Sequence, residues 1–112
     1  MNMLERLEEG VVVLQPLQRI DASVCPEFSF RLSKAVHEGS GKVLLDLSQA
    51  LFISSSTLSV LMEAQQQSIA EGGFLALCAL NKEIKELLSV VHLENSFSIY
   101  DNDREALEAL HD

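Results

Sequence analysis

Apolar and polar residues follow two rhythms along this chain, and the rhythms alternate. From Val11 to Leu14 the apolar run VVVL reads as a strand. Pro16, which has no N–H to give to a ladder, predicts an edge or a bulge there. In DASVCPEFSFRLSKAVHEG the spacing turns helical through Val24, Phe28, Leu32, Ala35 and Val36. Ser23 is a candidate cap, Pro26 fits only a first turn, and Gly39 closes the element. Phe30 falls on the opposite side of that helix, where a single exposed apolar residue is ordinary.

KVLLDLS returns to a short apolar run suited to a buried strand ending near Asp46 and Ser48. Leu58, Leu61, Met62, Gln65 and Ile69 then trace one face of a second helix, which stops at Gly72-Gly73. FLALCAL is the next strand. Asn81 can cap a third helix with Ile84, Leu87, Leu88 and Val91 as its apolar stripe. FSIY is a short strand candidate, and DNDREALEALHD offers Ala106, Leu107 and Leu110 as the face of a fourth helix. Only the start is ambiguous: MLERLEE, before Gly10, suits a helical turn or an edge strand. From residue 11 the order is strand then helix, four times over. That order predicts one α/β domain over residues 1–112 with a largely parallel sheet and crossover helices.

Composition adds limits. With 112 residues, 47% apolar content supports one core, and 22% charged residues is an ordinary share. The net charge of −9 therefore reflects imbalance. That charge, with the Lys and Arg residues scattered and no basic patch, disfavours nucleic acid and anionic membranes and favours a basic protein face as partner. No apolar run approaches a bilayer span, and the N-terminus lacks a secretory layout, so a cytoplasmic protein without membrane insertion is expected. Cys25 and Cys78 sit in apolar patterns and read as unpaired thiols. The absence of Trp, with Tyr100 the only tyrosine, speaks against a stacking platform for single-stranded nucleic acid.

The distinctive chemistry lies in ISSSTLSVL, Ile53 to Leu61, where Ser54, Ser55, Ser56 and Thr57 precede a helix. Hydroxyls there serve as caps, accepting an orphaned backbone N–H. A serine nucleophile is disfavoured because the G-x-S-x-G elbow is missing, and no glycine-rich phosphate loop with its lysine is present. His37, His92 and His111 lack paired ligand spacing, so no metal is expected. Asp21 and Asp46 read as turn or cap residues rather than an acid pair. No catalytic residue and no cofactor follows from these patterns.

From Lys42 to Tyr100 the chain resembles the STAS domain of bacterial anti-sigma factor antagonists. The matching segments are VLLDLSQALFISSSTLSVLM against that family's DLS, apolar pair and D-S-S-G-L, then EGGFLAL, then HLENSFSIY. Upstream, QRIDAS is similar to the family's G-R-L-D. The resemblance implies a STAS fold, a mixed sheet of four to five strands covered by about four α-helices. It implies phosphorylation of Ser56 by a serine kinase that is also an anti-sigma factor, and resetting by a serine phosphatase. Ser55, Ser54 and Thr57 are lesser acceptor candidates. Ser54 stands where the family has Asp, and Thr57 where it has Gly. The added Cβ at Thr57 would strain any left-handed backbone, and Gln18 in place of a glycine raises the same question.

The implied docking surface comprises Asp21, Ser23, Ser54, Ser55, Ser56 and Thr57, provided the two loops meet at one end of the sheet. The alternative is a non-switching accessory or scaffold subunit, as in a lipid-transport complex, with the hydroxyls serving as caps.

Overall fold

A computed structural model describes residues 1–111, with the side chain of His111 and all of Asp112 outside the described residues. Five strands form one sheet in the order β1 (Met3–Glu8), β2 (Val11–Pro16), β3 (Lys42–Asp46), β4 (Phe74–Cys78) and β5 (Ser98–Tyr100). Helices α1 (Cys25–Glu38), α2 (Ser55–Ala70) and α3 (Lys82–Val90) join successive parallel strands, and α4 (Asp103–His111) follows β5. The sheet is mixed, because β1 alone runs antiparallel.

The ambiguous N-terminal segment is thus an edge strand. Glu9 and Gly10 both have positive φ, 52° and 84°, the signature of a two-residue hairpin whose twist matches its strands. The expectation that Pro16 marks an edge strand or bulge needs correcting. β2 is an interior strand, and Pro16 lies beyond its ladder to β3, which covers Val12 to Leu14, so the missing N–H costs no sheet bond on that side.

Strand order that advances steadily in one direction, with crossovers of one hand, sends every crossover helix to the same face. Val12, Leu14, Val43, Leu45, Leu75 and Leu77 accordingly pack with Phe28, Leu32, Leu61 and Leu88 from α1 to α3. The alternate residues Val11, Val13, Leu44, Ala76 and Cys78 form a smaller cluster with Ala106 of α4. Both faces of β3 are buried, as its continuous apolar run implies. The Cys78 thiol is pushed up to about 12, first by burial and then by the charge of nearby Asp46.

The expected face of α2 is also corrected. Leu58 and Leu61 are buried, but the rest of the buried face is Thr57, Ala64 and Ser68, while Met62 and Ile69 are exposed. Small residues face the sheet because α2 is packed between α1 and β4, where bulk has no room. On α3, Ile84 and Leu88 are buried and Val91 is exposed at the C-cap.

At the end of the sheet where β3 and β4 begin, two glycines touch. A Cβ on Gly73 would lie 2.3 Å from the Gly41 carbonyl carbon and oxygen, and Gly41 has φ +89°. Phe74 N–H donates to Gly41 C=O at 2.8 Å, so the contact sets the start of the β3–β4 ladder. Beside it, the Ser68 hydroxyl is buried with no hydrogen-bond partner among the described residues.

Three stability measurements follow from these glycines and Ser68. Gly73→Ala is expected to cost about 2–3 kcal/mol in urea unfolding, through backbone overlap. Gly10→Ala, with open space around it, loses only about 1 kcal/mol from its φ. Ser68→Ala is expected to be neutral or to gain about 1 kcal/mol, since it removes an unpaired buried hydroxyl from a helix. A neutral Gly73→Ala would refute the close approach.

Candidate functional site

Parallel strands β2 and β3 leave the sheet at the same end, so the loops that follow them are neighbours. They are joined by backbone. Ile20 and Ile53, both buried, form an isolated parallel bridge. Ile20 N–H donates to Phe52 C=O at 3.0 Å, and Ser54 N–H donates to Ile20 C=O at 2.9 Å. The two loops therefore meet, and the Asp21–Ser23 segment follows directly from the residue that straps the start of α2.

Thr57 completes the strap. It is fully buried, and its hydroxyl donates to Ile20 C=O at 2.9 Å. That proton is committed, so the Ser54 hydroxyl, 3.1 Å away, is the donor to Thr57 Oγ1. Cys25 Sγ lies 3.6 Å from the same oxygen. Thr57 has no positive φ, and neither has Gln18, so the extra Cβ atoms strain nothing.

The four hydroxyls thus divide. Ser54 holds the N-cap position of α2, but its side chain makes no cap hydrogen bond, which corrects the expectation of a hydroxyl cap. Thr57 is shut away from any modifying enzyme, which corrects its place among the acceptors and docking residues. Ser55 and Ser56 are exposed, and their hydroxyls take no hydrogen bond among the described residues. They stand in the first turn of α2, which carries no acidic residue.

Ser23 is not the cap of α1 either. That position is Val24, with no side-chain cap, because the Ser23 hydroxyl donates instead to Asp21 Oδ1. Ser23 N–H donates to the same oxygen at 3.0 Å. The Ser23 hydroxyl first, then backbone N–H groups and Arg19, hold the Asp21 carboxyl below the usual carboxylate value, against the opposing effect of burial. The strap carries this anionic turn beside the start of α2. Asp46 is a turn residue, as read from the sequence, accepting from Ser48 N–H at 2.9 Å.

An open groove of about 470 Å³ adjoins the hydroxyls, between the β3–α2 loop and α3. Leu51, Phe52, Ile84 and Leu87 make it apolar, and Ser54 and Ser55 edge it. Arg19 stacks over Phe52, its guanidinium carbon 4.5 Å from the ring centroid. Asn81 holds the groove together. Its Oδ1 caps Ile84 N–H at 2.9 Å, as the sequence suggests, and its Nδ2 donates to Leu51 C=O at 2.9 Å. Ile20, Arg19, Phe52 and the second bond of Asn81 were not singled out from sequence. The segment QRIDAS, which holds Arg19 and Ile20, and the apolar pair before the hydroxyls were the only hints of them. Among the described residues, no group of three His, Cys, Asp or Glu could hold a metal ion, and no helix is long and apolar enough to cross a membrane.

Residues 4–106 match the family model of the STAS domain. A Thermotoga neapolitana protein provisionally named an anti-sigma factor antagonist is 31% identical, over 92% of each chain. An anti-sigma F factor antagonist of Paenibacillus polymyxa is 26% identical, over 98% of this chain and 97% of its own. A crystal structure from Thermotoga maritima, provisionally assigned as an anti-sigma factor antagonist, superposes with a TM-score of 0.92 at 26% identity, covering 98% of this chain and 95% of that one.

The strap has its own test. Thr57→Val keeps the volume but removes the donor to Ile20 and the acceptor for Ser54. It is expected to lose about 1–2 kcal/mol in urea unfolding, and Thr57→Ser should recover most of that. If Val and Ser behave alike, the hydroxyl does not hold the loop.

Proposed function

Because this chain belongs to the STAS domain family, we propose that it is a partner-switching regulator that docks through the start of α2 and is released when Ser56 is phosphorylated. In this reading the unmodified form binds an anti-sigma factor with serine-kinase activity, or a regulator of that kind, and a serine phosphatase restores it. The chain supplies an acceptor hydroxyl and a surface, not catalysis. The relatives named as anti-sigma factor antagonists support the role.

The observation that carries the proposal is the contrast in accessibility among four adjacent hydroxyls. Ser54 and Thr57 are spent on the strap, while Ser55 and Ser56 stand free at a helix start. Of the two, Ser56 aligns with the family's acceptor. Its position is the second of α2, where free N–H groups and the helix dipole favour an anion. A phosphate of about −1.5 to −2 charges there leaves the fold standing. A partner resting on that turn instead meets bulk and a charge that it must desolvate. The strapped Asp21 turn adds a negative group nearby, so the resting surface already prefers a cationic partner face.

Phosphosite mapping by mass spectrometry on protein from its native cells is expected to find phosphate on Ser56. Against the co-purifying serine kinase, Ser56→Asp should keep the wild-type unfolding midpoint yet bind at least tenfold more weakly, about 1.4 kcal/mol. Ser56→Ala should bind constitutively. Equal binding of the Asp and Ala variants would end the switch proposal and favour a fixed accessory role.

A further inference from the structure

The two faces of the sheet are closed in different ways. On one, α1, α2 and α3 share a single large core, to which α4 contributes no described residue. On the other, α4 packs over Val11, Val13, Leu44, Ala76 and Cys78. Among the described residues of α4, Ala106 alone is buried, with Leu107 and Leu110 partly so. Helix α1, by comparison, buries Cys25, Phe28, Leu32, Ala35 and Val36. With nine residues, α4 is shorter than the roughly 12 to 15 that a helix needs to persist in water by itself. It is reached from β5, a three-residue strand at the edge of the sheet.

Charge holds the flank of α4 toward β1. An open cleft of about 460 Å³ lies between them, with Glu8 on one wall and Asp103 and Glu108 on the other. Arg6 crosses it. Its Nε donates to Glu8 Oε1 at 3.3 Å, and its Nη2 donates to Asp103 Oδ2 at 2.7 Å. Arg104 donates along its own helix to Glu108 at 3.4 Å. Without Arg6, the carboxylates of Glu8 and Asp103 would repel across the cleft. Cys78 lies beneath. It is fully buried, and its thiol, raised first by burial and then by Asp46, also feels the charges of Asp103 and Arg6.

We propose that α4 is a lid, clasped by Arg6, that lifts from the sheet while the five strands and α1 to α3 stay folded. A cluster separate from the main core can open in a step of its own, at less free energy than global unfolding. Because α4 is too short to persist alone, it unwinds as it leaves. Lifting it uncovers an apolar strip across β2, β3 and β4, on the face opposite the crossover helices, with Cys78 within reach of solvent. The device stands on the packing of α4 and its ion pair, and it is independent of the switch at Ser56.

Time courses of N-ethylmaleimide labelling of the full chain, read at the Cys78 peptide by mass spectrometry in urea below the unfolding transition, test this. The logarithm of the labelling rate is expected to rise with urea at less than about a third of the slope of global unfolding, because that slope follows the surface exposed. The backbone amides of Leu44 and Leu45, in the central strand β3, should exchange hydrogen with the full slope. Arg6→Met keeps the aliphatic stem and drops the charge, and should quicken Cys78 labelling about threefold or more, while Arg6→Lys should restore most of the slower rate. Cys78 labelling that is absent below the transition, or that shares the slope of the Leu44 and Leu45 amides, would overturn the lid. Equal Cys78 rates in the wild type and Arg6→Met would overturn the clasp.

Discussion

One backbone carbonyl holds the candidate site together. Ile20 C=O accepts from Ser54 N–H and from the Thr57 hydroxyl, which spends both of its lone pairs. Without those bonds the β2–α1 loop would be an ordinary surface connection, free to move relative to α2. With them, the Asp21 turn and the first turn of α2 become one rigid patch. Thr57, where the resembling family's motif has glycine, thus adds the side-chain bond of the strap, since glycine would offer no hydroxyl. A departure that looked like a cost in backbone freedom is a gain in rigidity.

The sheet separates the exposed patch from the main packing of the fold. All three crossover helices lie on one face and pack into a continuous apolar core, while α4 closes the other. That core is remote in bonding terms from the exposed hydroxyls of Ser55 and Ser56. The close backbone approach of Gly41 and Gly73 lies at the opposite end of the strands. Near that end, His37 at the close of α1 meets Glu71 at the close of α2, with Nδ1 and Oε2 2.9 Å apart. The candidate patch and the glycine contact thus lie at opposite ends of the same strands, so a change at one need not disturb the other.

Helix α2 serves both ends. Its inner face is narrow and small-sided, with Thr57, Ala64 and Ser68 among the buried positions, because it is wedged between α1 and β4. Its outer face is almost free of charge. A helix bound to the core through few large side chains gains little from its own amphipathicity.

The sequence by itself determined the order of elements, the parallel sheet and the cap at Asn81, because apolar spacing and turn residues are local signals. It also marked the hydroxyl cluster, and the likeness to a known family singled out Ser56 within it. The start of the chain stayed undecided, since Leu4 and Leu7 suit either rhythm and only the antiparallel pairing with β2 resolves them. The buried face of α2 was misread because apolar type outranked size, whereas the space beside β4 selects for small residues. Which hydroxyls are free was not legible at all. Four consecutive Ser and Thr residues are chemically alike until Ile20, distant in sequence, supplies the acceptor that locks one directly and a second through it. Long-range backbone pairing decided that, and periodicity cannot encode it.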